Sequence, residues 1–432
     1  MRYRLSDLPA MLATAGGRRQ VRDGVLYRSW PLASALARLY RIALLRRTRI
    51  VAIVGSFGKS TTTRAVAAAL NAPLRVPVIA NAWTSIALAV LRTRPWQAYS
   101  AIEIGIDGRG QMKRYATLVR PHIVVVTSIG SEHIDALGTL EVTRSEKAAM
   151  VCALRPSGIA VLNGDDANVV WMKALATGRV VTYGFGTTCD VRAERLVLDW
   201  PRGSRFRVHA FDQAREVTIN LMGRQMIYPV LAAVAVAAVE GLPLDPVLAR
   251  LAELRPIPGR MQPAALPNGA LILRDDYKSP AETIDAALDL LAQVPAGRRM
   301  VLLGDVSEPQ GDERAVYAAL GRRAARTATH LVVIGRGFAD YAQGARDAGM
   351  PSAAIVDAGR AVHRAAAALK AVLRPGDVLL IKGRRPQKLD RVRLMLQGRA
   401  VGCDLSFCDI RTMDCEDCPM LERGWGAHRA VM

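Results

Sequence analysis

The sequence predicts an α/β protein. A central phosphate-binding P-loop domain is built on a parallel sheet and carries a small antiparallel β insert; a second, Rossmann-like α/β domain follows it. Three observations predict this. A β-branched run at residues 50–54 leads into a glycine loop and then a helical pattern. Short apolar runs alternate with helical patterns on both sides of a proline-rich hinge. Polar residues gather just after those runs, where open α/β sheets collect their ligands.

Taken in order, residues 30–45 have apolar side chains at helical spacing, with arginine on the polar side. Arg46, Arg47 and Arg49 follow. Such a helix either packs on its own domain or makes peripheral contact with an anionic membrane surface. The run 50–54 then reads as a buried strand and residues 61–70 as a helix. Further strands are predicted at 98–105, ending in Glu103 and Gly105, at 123–126, and at 158–166, with Asn163 near its polar end. A helix around 141–154 carries Lys147. Its neighbours Arg144 and Glu146 also allow a solvated charged face. Residues 191–198, 206–210 and 216–221 alternate polar and apolar, which predicts the antiparallel insert. Residues 227–240 return to helix, and Pro256-Ile257-Pro258-Gly259-Arg260 marks the hinge. Beyond it, strands are predicted at 271–273, 299–303, 330–334 and 378–381, with polar ends expected to face a shared cleft. The resulting domains are a short helical segment at 1–48, a P-loop ATP-binding domain at 49–257, a Rossmann-like domain at 258–398, and a cysteine-rich tail at 399–432.

Bulk properties narrow the function. The chain has 432 residues, 51% of them hydrophobic, enough for two or three cores. A net charge of +21 favours anionic partners such as nucleotides and phosphorylated or carboxylate substrates. Nucleic acid is disfavoured, because arginine is spread along the chain and only 5% of residues are aromatic. The best apolar run, 230–239, is too short to span a bilayer, and the N-terminal residues lack the apolar core of a signal peptide. A cytoplasmic protein is expected. Cys152 and Cys189 read as isolated thiols. Cys403, Cys408, Cys415 and Cys418 crowd the tail, and that density suggests Zn²⁺ or an Fe–S cluster, with four reduced thiols as the alternative.

The chemistry centres on Gly55-Ser56-Phe57-Gly58-Lys59-Ser60-Thr61. Gly55 and Gly58 let backbone N–H groups approach phosphate, and the following helix N-terminus favours the same anion. Lys59 would reach the β- and γ-phosphates, and Ser60 or Thr61 would hold Mg²⁺. The eight-residue P-loop needs a further glycine where Ile53 stands, so this is a shorter form, and a glycine turn with an exposed lysine is the alternative. Glu103 and His133, beyond neighbouring strands, are suited to a second Mg²⁺, directly or through water.

The ordered set of motifs resembles the Mur ligase family, nearest its D-alanyl-D-alanine-adding branch. The matching stretches are 55–62, 102–105, 127–133, 144–147, 158–166, 258–260, 276–278, 303–305 and 380–384, and together they span roughly residues 48–395. The resemblance implies a ligase that uses ATP to phosphorylate a substrate carboxylate. An amine, which could be an amino acid, a dipeptide or ammonia, then attacks the acyl phosphate to form an amide. It also implies roles for single residues. Lys59 and Ser60 bind the triphosphate and Mg²⁺, while Glu103 and His133 serve the metals. Lys147 matches a lysine carbamylated in the family. Arg260 and Asp276 reach ATP, and Lys278 assists at the acyl phosphate. Asn163 belongs to the nucleotide site.

Four departures qualify the substrate. About fifty residues precede the P-loop, fewer than the family's sugar-nucleotide domain requires, so a carboxylate other than the usual UDP-muramoyl peptide is expected. Gln225 and Pro229 replace family residues near adenine. Trp83 and Thr84 replace asparagines after Asn81. The cysteine tail lies outside the family pattern. A shortened UDP-muramoyl-peptide ligase and a nucleotide-binding protein without turnover are the alternatives.

Overall fold

The structure is a computed structural model that describes residues 8–13, 18, 21, 22, 24, 25, 28–74, 81–408, 410, 413–418 and 420–424. Part of the segment 1–48, the stretch 75–80 and much of the tail therefore lie outside the described residues. The chain divides into two compact units, Gly24–Arg255 and Pro256–Met432, the latter together with Met1–Asp23. Leu8–Ala13 forms a short helix, α1.

The unit Gly24–Arg255 is built on an eight-stranded sheet in the order β2-β1-β3-β4-β5-β6-β7-β8. Its parallel part comprises β1 (Arg49–Val54), β2 (Tyr99–Glu103), β3 (Ile123–Val126), β4 (Ile159–Asn163) and β5 (Arg179–Gly184). The strands are mostly apolar, with their polar residues chiefly at the ends, because helices cover both faces. Along β1 the faces alternate. Val51 and Ile53 join a core with α3 (Lys59–Ala69) and with the Ala/Val-rich α9 (Arg224–Val239). Ile50, Ala52 and Val54 join the opposite core. That core is completed by α2 (Trp30–Ala43), α4 (Thr84–Arg92), α5 (Gln111–Val119) and α7 (Leu140–Cys152). The predicted antiparallel insert is present as three strands. β6 (Val191–Asp199), β7 (Gly203–Ala210) and β8 (Gln213–Ile219) are antiparallel to one another, yet β6 pairs parallel with β5. The three strands therefore extend the same sheet, because Val191 and Val208 complete the core that β5 begins.

α2 is anchored by a buried cation. Arg41 donates to the carbonyls of Val119 (2.9 Å), Leu45 (2.6 Å) and Arg120 (3.0 Å). Burial pulls its guanidinium down to about 10, and the positive charges of Arg120 and Arg155 add to that effect. His122 lies beside it and accepts from the Ile50 amide through Nδ1 at 3.0 Å. Burial and the neighbouring Arg41 push that imidazole down to about 4.

The second unit has a six-stranded sheet in the order β13-β12-β11-β14-β10-β9. β10 (Leu271–Asp275), β11 (Arg299–Leu303), β12 (His330–Val333) and β14 (Val378–Lys382) correspond to the predicted strands. β9 (Gln262–Ala265) and β13 (Ile355–Asp357) are edge strands too short and too polar to stand out in sequence. Ile272, Met300, Leu302, Val332, Leu379 and Ile381 line one face of this sheet, packed with Ala365 and Leu369 of the helix Val362–Val372 and with Val392.

Candidate active site

Register places the first residues of the site. β1 and β2 pair Ile53 with Glu103, and β1 and β3 pair Val54 with Val126. The turns after all three strands therefore leave the sheet at one edge. Gly55 takes φ +142°, and a Cβ there would stand 2.0 Å from Thr127 Oγ1. Only glycine lets the loop pass the β3 turn this closely. Gly58 (φ +80°) then begins α3, whose first turn carries no acidic side chain. First-turn N–H groups have no acceptor within a helix, so this terminus is suited to an anion.

Side chains fasten the loop to the turn after β3. Thr127 Oγ1 donates to the Phe57 carbonyl (2.6 Å), and the Phe57 amide donates to Ser128 Oγ (3.0 Å). Ser56 Oγ donates to the Gly130 carbonyl (3.1 Å) and accepts from the Gly130 amide (2.8 Å). Asn163, at the end of β4, donates to the Thr127 carbonyl at 2.9 Å. Its part here is to hold that turn in place.

Lys59 is 5% exposed, which removes the exposed-turn alternative. Its ammonium donates to the carbonyls of Gly55 (2.9 Å) and Ser56 (2.8 Å) and to Glu132 Oε2 (2.9 Å). Glu132, itself buried, lies 3.6 Å from His133 Nε2 through its other oxygen. Sequence reasoning passed over Glu132. The signal was a carboxylate beside His133, in a turn that had to meet the P-loop. Glu103 accepts from Ser60 Oγ (3.2 Å) and Asn81 Nδ2 (2.6 Å) through Oε1, while its buried Oε2 has no hydrogen-bond partner. A buried carboxylate oxygen without a donor suits a cation. Ser60 and Glu103 therefore fit Mg²⁺, which takes few protein ligands and keeps water and phosphate oxygens. Thr61 lies buried in the same first turn.

Lys147 is 2% exposed, so the solvated-face reading is corrected: the apolar side of α7 turns it inward. Its Nζ donates to Ser56 Oγ at 2.7 Å. Burial holds its ammonium well below the usual lysine range; nearby Lys59 pushes the same way, and Asp166 opposes.

A second group lies beyond β4. Asp165 accepts from the amides of Phe185 (2.6 Å) and Gly186 (2.9 Å) and from Tyr228 Oη (2.9 Å). Burial and that bond push the phenol up to about 12. Phe185 packs edge-on to Tyr228, and Arg224 stacks over the Phe185 ring at 3.6 Å. Gln225 Nε2 is buried without a partner.

The other unit holds the remaining predicted residues. Arg260 and Arg385 stack on Tyr277 at 4.4 and 4.5 Å. Asp276 is buried, accepts from Arg274 Nε at 2.8 Å, and has its carboxyl raised by burial despite that cation. Lys278 is half-buried, and its carbonyl accepts from Lys382 Nζ at 2.6 Å. Lys382 also donates to Asp275 at 2.5 Å.

The four cysteines of the tail lie in this same unit as free thiols. Among the described residues, no group of three or more His, Cys, Asp or Glu side chains is placed to hold a metal ion. Cys415 instead packs with Leu394 and Leu421, with Cys418 against them. Burial pushes the Cys415 thiol up to about 12 and raises Cys418 as well, and the nearby Cys408 adds to both effects. Cys403 Sγ accepts from buried Arg391 at 3.3 Å, and the Cys408 amide donates to the Pro386 carbonyl at 2.8 Å.

A glycine loop opening a helix at the edge of a parallel sheet, followed by a second parallel-sheet unit, defines the class of two-unit P-loop enzymes. Two family models match, Mur ligase middle domain over residues 53–237 and Mur ligase, glutamate ligase domain over residues 259–385. The UDP-N-acetylmuramoyl-tripeptide–D-alanyl-D-alanine ligase of Mycobacterium tuberculosis is 33% identical over 385 residues, covering 81% of this chain and 74% of that protein. The Escherichia coli enzyme of that name is 28% identical over 281 residues, covering 64% of this chain and 62% of that one. The chain belongs to the Mur ligase family, and it is an ATP-dependent C–N ligase. Its fold is that of MurF from Acinetobacter baumannii, with a TM-score of 0.77, 22% identity, and 86% and 81% of the two chains covered. MurF ligase from Thermotoga maritima in complex with ADP has a TM-score of 0.73 at 20% identity, with 86% and 84% covered.

Proposed function

We propose that this chain extends a peptidoglycan-precursor peptide, activating its terminal carboxylate with ATP and joining it to D-alanyl-D-alanine. One observation carries the reading: buried Lys147 hydrogen-bonds the P-loop serine, Ser56, while the next cation along the loop, Lys59, faces Glu132. The printed names of the relatives supply the substrate class.

The carboxylate oxygen attacks the γ-phosphorus, and the β–γ bridging bond breaks to release ADP. The amine then attacks the acyl carbon, phosphate leaves, and the amine loses its proton. Lys59 and the first turn of α3 hold the triphosphate and offset its repulsion from the incoming carboxylate. Mg²⁺ supplies further neutralisation, and Ser60, Glu103 and His133 are the residues that would hold it. Burial disfavours the Lys147 ammonium, so its amine is able to take up CO₂, lose a proton to solvent and present a carbamate carboxylate to the same cation site. Arg224, Phe185 and the unpaired Gln225 Nε2 form a shelf for the base. Arg260 and Asp276 serve ATP, and Lys278 the acyl phosphate.

A second reading concerns the carboxylate alone. Trp83, where the family has asparagine, is held edge-on by Trp30 and Tyr115 at 5.6 and 6.2 Å. Its amide donates to Tyr115 Oη at 3.0 Å. This loop differs chemically from the family's, which favours a carboxylate other than the UDP-linked tripeptide.

The test mixes protein, ATP and Mg²⁺ with the UDP-linked tripeptide and D-alanyl-D-alanine, and in parallel with precursor peptides lacking UDP. Hydroxylamine is added to trap acyl phosphate, and Lys59→Ala serves as the blank. ADP release with a hydroxamate is expected, and its mass identifies the carboxylate. Bound ATP without ADP release for any carboxylate overturns the ligase reading.

A further inference from the structure

α2 has two faces, and the described residues bury only one of them. At 100° per residue, Ala37 and Arg41 point to one side and are buried. Leu32, Leu36 and Leu39 fall on the opposite side within roughly 60° of arc, and they are 67%, 50% and 66% exposed. Leu44, just past the helix, is 54% exposed. Such a row of large apolar side chains is unlike the scattered leucines of an ordinary surface.

The charges around the row are of one sign. Residues 24–49 contain no Asp or Glu, and Arg28, Arg38, Arg46 and Arg47 are exposed. No helix among the described residues is long and apolar enough to cross a membrane. An amphipathic helix with an apolar strip, cationic flanks and no acidic residue has the chemistry of a segment lying in the plane of an anionic bilayer. The chain's net charge of +21 favours the same approach.

We propose that α2 docks the protein on anionic lipid, with Leu32, Leu36 and Leu39 entering the acyl boundary and Arg38, Arg46 and Arg47 meeting lipid phosphates. The inner side of the helix gives the docking a consequence. Trp30 packs edge-on against Trp83 and Tyr115, each at 5.6 Å. Trp83 lies two residues beyond Asn81, which donates to Glu103. The helix that meets the membrane is thus one aromatic contact from the loop beside the catalytic carboxylate. This inference does not depend on which carboxylate is ligated.

Vesicle flotation tests it, with vesicles of phosphatidylglycerol and phosphatidylcholine in equal parts against pure phosphatidylcholine. The native chain is expected to float with the anionic vesicles only, and less as salt rises. Leu32→Ser/Leu36→Ser/Leu39→Ser and Arg38→Glu/Arg46→Glu/Arg47→Glu should each weaken binding by about 10-fold or more. Both variants should keep the native melting shift with ADP, which shows that they fold. The proposal is overturned if the native chain stays unbound. It is equally overturned if the leucine variant floats like the native chain, since diffuse charge alone would then be responsible. A native dimer that the leucine variant dissociates, without lipid binding, would assign the face to a second copy and overturn it too.

Discussion

Lys147 shows how one buried side chain links stability to chemistry. The unfolded chain holds its proton more tightly than the folded one, because burial depresses the folded value. The resulting penalty is full below the folded value and vanishes as pH rises through the ordinary value of 10.5. Lys147→Met should therefore melt no lower than the native protein near neutral pH, while losing ligation. The difference in melting temperature should shrink as pH approaches the ordinary lysine value, and a clear loss of stability at neutral pH would refute a burial penalty on the Lys147 ammonium. Lys147→Ala should likewise keep ADP binding and lose product formation. The Lys59–Glu132 pair behaves in the opposite way. Lys59→Ala leaves Glu132 buried with its Lys59 contact gone and should cost about 3 kcal/mol in urea unfolding. Adding Glu132→Gln should recover most of that stability but none of the ADP affinity. Recovery of both would mean that Lys59 serves only the fold.

At the scale of elements, α2 and the start of β3 share one titrating contact. His122 accepts from the Ile50 amide under the Arg41 guanidinium, and its imidazole sits at about 4. The unfolded chain takes up that proton first as pH falls, so stability should decline from near 6.5 down to about 4. Asparagine can accept the same amide bond without titrating, so His122→Asn should flatten that decline. Urea midpoints measured near pH 7 and near pH 5 would show it, and an unchanged slope would place the titration elsewhere. Sequence periodicity captured the long helices and the fully apolar strands, because their burial demands continuous apolar residues. It missed β9 and β13, where edge strands need no such run, and it left open how the antiparallel strands attach. Alternation on β6 to β8 reports one covered face but not which neighbour the first strand joins.

At the scale of the whole molecule, each unit has its own core, one around β1 and one around β11 and β14. Calorimetry should resolve more than one transition. The transition of Gly24–Arg255 should move upward with ADP, by the equivalent of about 2.7 kcal/mol at a hundredfold excess over the dissociation constant. A single transition unmoved by ADP would contradict both the independence of the cores and the placement of the nucleotide.

The sequence by itself determined the family, the strand–loop–helix that receives phosphate, and the residue types at the strand ends. These depend on local geometry and on glycines at positions where a side chain cannot fit. Only the tertiary structure decided which of those residues meet. It paired Lys59 with Glu132, buried Lys147 against Ser56, and left one oxygen of Glu103 without a donor. It also packed Cys415 against Leu394 and Leu421. Spacing along a chain fixes which residues are available. Desolvation and contact across the sheet edge fix which become charged, neutral or ligating, and both are set by elements far apart in sequence.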